Sequence, residues 1–270
     1  MPVLHALWNF KDAPAHTRLL WELDNGFDGA SLLFYPQFAS KNAAELASFR
    51  SVIAERKPRL TCHGAFGEAD SSESIPNYKF HMERAIAFHE ETGLVSAYVF
   101  DPAYIHGGDK DAFAPDETFR GLETALKMFK SSRIPIAIEN WRVNSDFAFF
   151  EKVKRRFGDS VAMLLDIGHI HLAVNDAAGA WHGLAHAEVV NRLPLKFLEV
   201  HVHNNDGVAD QHAPLSSGTM PYEDVLKAVA KKGVVGCYTV EHGGSFNDEQ
   251  VLRSVAESCR LVRKHAGLEK

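Results

Sequence analysis

Residues 196–218, KFLEVHVHNNDGVADQHAPLSSG, crowd imidazole and carboxylate side chains around the end of one apolar run. An apolar run ends on His201 and His203, and a Gly-containing loop then adds Asp206, Asp210 and His212. Imidazoles and carboxylates crowded at the end of a buried strand cost roughly several kcal/mol in desolvation and repulsion unless a cation gathers them. A metal ion is the cation that this donor set suits. Asp210 and His212 are two apart, which puts both side chains on one side of an extended segment, a chelating spacing. Asp166 and His169 span the end of another apolar run and its first turn.

The elements that must carry these groups follow from the apolar periodicity. Short apolar runs at 3–10, 28–35, 59–66, 96–101, 135–141, 161–168, 195–203 and 237–242 alternate with segments of helical spacing, among them 77–92, 116–130, 145–157, 221–232 and 247–265. Gly93, Gly158 and Gly233 mark helix ends. Eight strands alternating with eight helices predict an α/β fold, a (β/α)8 TIM barrel, as a single domain over residues 1–270. A doubly wound open sheet is the rival. The barrel alone requires the reacting groups to lie at the C-terminal ends of strands, facing inward.

The polar strand ends meet that requirement: His63, Asp101, Glu139, Asp166 followed by His169, His201, and Glu241. With side chains alternating in and out, Ala137 accompanies Glu139, Leu164 accompanies Asp166 and Thr239 accompanies Glu241, while Ile136 and Ile138 face the helices. Glu199 points inward one layer below His201, where it would accept that imidazole's other N–H. The loops 67–76, 103–115, 170–185 and 204–220 would build the active-site face.

Five carboxylates, Asp101, Glu139, Asp166, Asp210 and Glu241, gather at one mouth, and no Lys or Arg ends a strand to offset them. Two or three divalent ions would balance that charge. The mixture with His63, His169, His201 and His212 suits zinc or manganese, with cobalt, iron or magnesium as alternatives, better than calcium. Around the ring, Trp141 and Phe66 are candidates to wall a substrate pocket, and Asn140 to bond a hydroxyl. Arg142, Lys110 and His106 are placed to meet an anionic group, and His203 to contact substrate or support a ligand. His81, His89, His182, His186 and His265 fall on helical segments and are expected to be solvated.

A net charge of −6 and acidic loops argue against a nucleic-acid partner. Cys62, Cys237 and Cys259 form no spaced cluster, as expected in a reducing compartment. With no apolar stretch approaching 18 residues and no leader pattern, a cytoplasmic protein without a membrane partner is expected. The oligomeric state stays open.

The motifs IENW (138–141), LDIGHIH (165–171), HVHNNDGVADQHAPLSSG (201–218) and TVEH (239–242) resemble those of the xylose-isomerase-like barrel superfamily, in the same order along nearly the whole chain. That superfamily holds sugar and sugar-phosphate isomerases and epimerases, related dehydratases and metal-dependent apurinic-site endonucleases. The resemblance implies one metal held by Glu139, Asp166, His201 and Glu241. Glu139 and Glu241 would then move a proton on a small sugar or sugar phosphate, through a metal-stabilised enediolate. The endonuclease pattern adds His63, His169, Asp210 and His212 and implies a multi-metal phosphoesterase as the alternative. Where that pattern has His before Pro, this chain has Asp101-Pro102, which exchanges a neutral nitrogen ligand for an anionic oxygen.

Overall fold

The computed structural model describes residues 1–33, 43–64, 78–102, 113–141 and 144–269. Its elements in order are β1 (Val3–Ala6), a 3-10 turn (Leu7–Asn9), β2 (Phe10–Lys11), α1 (Ala15–Asp24), β3 (Gly29–Leu33), α2 (Ala43–Arg56), β4 (Arg59–His63) and α3 (Tyr78–Thr92). They continue with β5 (Val95–Phe100), α4 (Pro115–Met128), β6 (Ile136–Glu139), α5 (Phe147–Phe157), β7 (Val161–Asp166), α6 (Ile167–Asn175) and α7 (His186–Arg192). The last are β8 (Phe197–Val202), α8 (Tyr222–Lys232), β9 (Val234–Val240), β10 (Gly244–Ser245) and α9 (Glu249–His265).

Eight of the strands, β1 and β3 through β9, pair in sequence order and close into a barrel, the first and last joined through Val3↔Tyr238, Leu4↔Thr239 and His5↔Val240. All of these pairs are parallel, so each connection must cross over the sheet, and the helices do this. The closed barrel replaces the open-sheet alternative.

Local chemistry explains the helix ends. Pro115 opens α4 and Asp116 and Glu117 follow in its first turn, while Lys127 lies in its last. Asp146 caps α5 by accepting from the Ala148 amide at 2.9 Å, and Gly158 ends it at φ 60°. Asp248 caps α9 through the Gln250 amide at 2.8 Å.

Three features differ from the expectations. The run 3–10 breaks after Ala6, because the 3-10 turn redirects the chain and Phe10–Lys11 pairs with Gly244–Ser245 in a separate two-stranded sheet. The run 161–168 stops at Asp166, whose carboxylate accepts from the His169 amide and starts α6, so part of the expected loop 170–185 is helical. His81, expected to be solvated, is buried on α3. Among the described residues, no helix is long and apolar enough to cross a membrane.

The outer faces of the strands are apolar where the helices cover them, and a smaller apolar core lies inside the barrel. Ile136, Ile138, Met163, Leu165, Tyr238 and Val240 face outward and pack with the helices. Ala97, Val99, Ala137, Leu164 and Leu198, with Ala162, form a small separate core inside the barrel. The barrel also carries a buried polar layer. The Ser31 and Thr61 hydroxyls are 2.8 Å apart, and Glu199 Oε1 accepts from Thr61 at 3.1 Å and from Thr239 at 2.5 Å.

Leu198 and Glu199 are consecutive yet both serve the interior. The register of β8 shifts against β7 and against β9 at this point, which supplies the extra residue. Gly236 makes the close approach possible, since a Cβ there would overlap the Leu198 carbonyl oxygen. Gly236→Ala is therefore expected to destabilise the barrel by about 1–3 kcal/mol, measured as a lowered urea midpoint at unchanged m-value.

Candidate metal centre

The site assembles from the mouth-end residues of the barrel strands and from the loop that follows β8. Asp166 is the best anchored of them. Its Oδ1 accepts from the His169 amide at 2.7 Å, so the residue that ends β7 also caps α6 and its carboxylate is held in place. Asn140 fixes the same residue through the backbone: its Oδ1 accepts from the Asp166 amide at 2.9 Å and its Nδ2 donates to the Asp166 carbonyl at 3.0 Å. The Asn140 amide, expected to face a substrate hydroxyl, is thus engaged by β7 and fully buried.

Two of the imidazoles have their tautomer set by a backbone carbonyl. His169 Nδ1 donates to the Asn140 carbonyl at 2.8 Å, leaving Nε2 aimed at Asp210 Oδ2, 3.4 Å away. His63 Nδ1 donates to the Gly64 carbonyl at 2.9 Å, leaving Nε2 2.9 Å from Glu139 Oε2. A ring nitrogen held by an outer acceptor while its partner nitrogen faces carboxylates is the usual arrangement of a metal-ligating histidine.

His201 and His203 both point inward from β8 and its end. His201 Nδ1 stands 2.8 Å from Glu241 Oε2 and 3.8 Å from Asp166 Oδ2, and its Nε2 lies 3.5 Å from Glu199 Oε1 in the layer below. His203 Nε2 is 3.1 Å from Asp166 and 3.8 Å from Asp210 Oδ1. The ligand-type atoms fall into overlapping nests, each spanning no more than 4.8 Å. One holds His63, Glu139 and His201; a second Glu139, Asp166 and His169; a third Asp166, His203 and Glu241; a fourth His169, His203, Asp210 and His212. Eight of the nine expected ligand-type residues share these nests: His63, Glu139, Asp166, His169, His201, Asp210, His212 and Glu241. His203, expected to contact substrate, lies among the ligand-type groups, and Asp101 is buried at the end of β5.

Asp210 and His212 reach the mouth because the loop folds back on itself. Asn204 and Ala213 exchange both backbone hydrogen bonds, at 2.9 and 2.8 Å, and the Asn204 side chain also holds the Leu215 carbonyl and the Met220 amide. His212 adopts φ 46°, a left-handed conformation uncommon for a residue with a Cβ. Asp206, counted with the ligand-type cluster, turns the other way: its oxygens accept from the Val208 and Ala209 amides and from Gln211.

The electrostatics suit a cation. Burial alone would lower the His169 and His212 imidazoles, yet the surrounding carboxylates hold both up, His212 at about 9. Burial would raise Asp210 and Glu241, yet the imidazoles hold both carboxyls down. Several buried atoms here make no hydrogen bond, among them Asp210 Oδ1, Glu241 Oε2, His203 Nδ1 and both His201 ring nitrogens. Uncompensated lone pairs converging within a ring of carboxylates are what a divalent ion satisfies. The residues present therefore fit zinc, manganese or a similar ion.

Aromatic walls flank the ring. Trp141 stacks on His169 with centroids 4.1 Å apart and is buried, held by Asn144, whose Oδ1 accepts from the Trp141 amide at 2.6 Å. Trp8 lies 5.4 Å from the His63 ring and 6.2 Å from that of His201, partly exposed. Trp8 escaped the reading of the strand ends, although alternation from Leu4 and Ala6 places it on the inner side. Phe66, His106, Lys110 and Arg142 lie outside the described residues.

Gly168, in the first turn of α6, lets the His203 ring sit against the helix start, since a Cβ there would overlap the ring. Gly168→Ala is expected to displace His203 and weaken Zn2+ binding at least about tenfold in calorimetric titration.

The comparisons with known proteins come from three directions. The profile of the family described as xylose isomerase-like TIM barrel matches residues 21–264. An uncharacterised protein of Methanocaldococcus jannaschii is 22% identical over 152 residues, 53% of this chain and 49% of that protein, so the chain spans about half the length of the curated relative it matches. Among solved structures, a D-tagatose 3-epimerase-like protein superposes with a TM-score of 0.72 at 16% identity, covering 99% of this chain and 98% of that one. A Thermus thermophilus protein soaked with zinc chloride superposes with a TM-score of 0.67 at 17% identity and full coverage of both chains, 100% each. These structural likenesses speak for the fold. With the profile matching most of its length, the chain belongs to the xylose isomerase-like TIM barrel family.

Proposed function

We propose that this protein is a divalent-metal-dependent isomerase or epimerase of a small sugar or sugar phosphate. The observation that carries the reading is the placement of two buried carboxylates, Glu139 and Glu241, at the ends of β6 and β9, three strands apart around a closed barrel of eight. They flank the cluster from different sides, as removal and return of a proton at opposite faces of one carbon requires. The epimerase-like neighbour supports the substrate class, and the zinc-soaked neighbour supports the choice of ion.

Glu139, Asp166 and Glu241 with one imidazole would hold the ion. His203 is the imidazole favoured here, because it faces Asp166 directly, whereas His201 has Glu241 on one side and Glu199 on the other. When bound, a divalent ion supplies Lewis acidity toward the substrate's carbonyl and neighbouring hydroxyl oxygens. The protein's own residues do the rest. Glu139 takes the proton from the carbon next to the carbonyl, while the His63 bond to its Oε2 keeps that carboxylate aimed. Glu241 returns a proton from the other side, and Trp8 and Trp141 shield the reacting carbon from water.

A second reading, a multi-metal phosphoesterase, draws on the nest of His169, His203, Asp210 and His212, which exceeds what one ion needs. The net charge of −6 favours a small phosphodiester over nucleic acid.

The test is deuterium exchange from solvent into a panel of ketoses and ketose phosphates, with Zn2+ or Mn2+ supplied. Exchange at the carbon next to the carbonyl is expected in the wild type, with a fall of at least about 100-fold in Glu139→Gln and Glu241→Gln. Undiminished exchange in either variant with the ion still bound contradicts its role. Hydrolysis of a model phosphodiester that is lost in Asp210→Asn, with no carbon exchange, would select the second reading.

A further inference from the structure

Beyond the ring of ligand-type residues, the described residues include a buried ionisable pair without a role. β1 and β9 are paired as far as His5↔Val240. The His5 side chain, facing the helices, continues the connection past that point. Its Nε2 donates to the His242 carbonyl at 2.8 Å, and its Nδ1 lies 2.8 Å from Glu22 Oε1 on α1. Both residues are fully buried, with the His5 ring against those of Phe10 and Phe27, at centroid distances of 4.5 and 5.6 Å.

A carboxylate and an imidazole on the apolar side of a barrel strand add little to stability, since two apolar residues would serve a core as well. What the pair provides that an apolar pair lacks is an N–H fixed in direction. Glu22 holds Nδ1, so the ring orientation is set and Nε2 is aimed at one acceptor. That acceptor belongs to the residue after Glu241. On its other side, the Glu241 amide donates to the Val202 carbonyl at 3.0 Å, so the Glu241–His242 segment is pinned at both ends. The chain then packs Gly243 onto the Asn9 backbone so closely that no Cβ fits, and enters β10 beside β2.

We propose that the Glu22–His5 pair is a positioning device: by holding the His242 carbonyl from outside the barrel, it sets the direction in which Glu241 enters the mouth. The inference rests on the reading of Glu241 as a metal-holding and proton-moving group. Neither His5 nor Glu22 touches that site, so their effect passes through the backbone alone.

The test compares the wild type with two double variants. His5→Leu/Glu22→Leu removes the donor without leaving a buried charge, and His5→Gln/Glu22→Gln keeps an N–H within reach of the His242 carbonyl. Two quantities are read: hydrogen exchange of the Glu241 amide in metal-free protein, and Zn2+ affinity by calorimetry. The leucine pair is expected to melt no lower than the glutamine pair, yet to exchange the Glu241 amide about tenfold faster and to bind Zn2+ about tenfold more weakly. The glutamine pair should stay within about threefold of wild type in both, at the small end of such outer-contact effects. Wild-type exchange in the leucine pair, or equal losses in both variants, would overturn the positioning role. If the leucine pair does not fold, His5→Asn, too short to reach the carbonyl, stands against His5→Gln with the same expectations. Absence of Zn2+ binding in every protein, wild type included, would defeat the metal reading, and the exchange rates would then decide the positioning role alone.

Discussion

Like charges confined in a dry space govern this structure. Asp101, Glu139, Asp166 and Glu241 end four strands of one barrel and are all buried, with Asp210 lowered over them from the loop after β8. Carboxylates in such a place either take up protons or are compensated by cations. The imidazoles supply part of that compensation, and the neighbouring carboxylates in turn hold His169 and His212 above the ordinary imidazole range. A divalent ion in the same field does more, because it brings two charges to lone pairs that the imidazoles reach only in part.

The rest of the fold serves to keep these groups where they repel. Asp166 is fixed three times, by the helix it caps, by the Asn140 amide and by His203. Beneath the ring, Thr61 and Thr239 hold Glu199, which faces the far side of His201. The register shift in β8 brings Glu199 inward without removing Leu198 from the inner core. On the outside of the barrel, His5 and Glu22 attach the backbone just past Glu241 to α1. Rigid outer contacts of this kind let a site keep an unfavourable charge arrangement that mobile side chains would relax.

Much of this was legible in the sequence. Eight apolar runs separated by helical segments have few closed solutions, and period-two alternation then assigned Ala137, Leu164 and Thr239 to the same inner face as Glu139, Asp166 and Glu241. Parity does not separate His201 from His203, since both face inward, and their different distances from Asp166, 3.8 and 3.1 Å, follow from the rise along β8. Asn140 looked like a hydrogen-bonding group free for substrate, and the geometry that gives it to the Asp166 backbone depends on how closely β6 and β7 approach. Asp206 was counted with Asp210 on spacing, yet an Asx turn uses its oxygens for nearby amides. His5 and Glu22 are far apart in sequence and carry no motif, so only the packing of α1 on β1 reveals them.

The most direct test of the central claim is the metal content of the protein purified without chelator, measured by elemental analysis before and after incubation with Zn2+ and Mn2+. The ring of buried carboxylates predicts at least one divalent ion per chain, lost when Asp166 is replaced by Ala, with a second or third ion if the Asp210 and His212 nest is also filled. Protein that takes up no divalent ion under either condition, and whose melting temperature ignores both metals, would contradict the account.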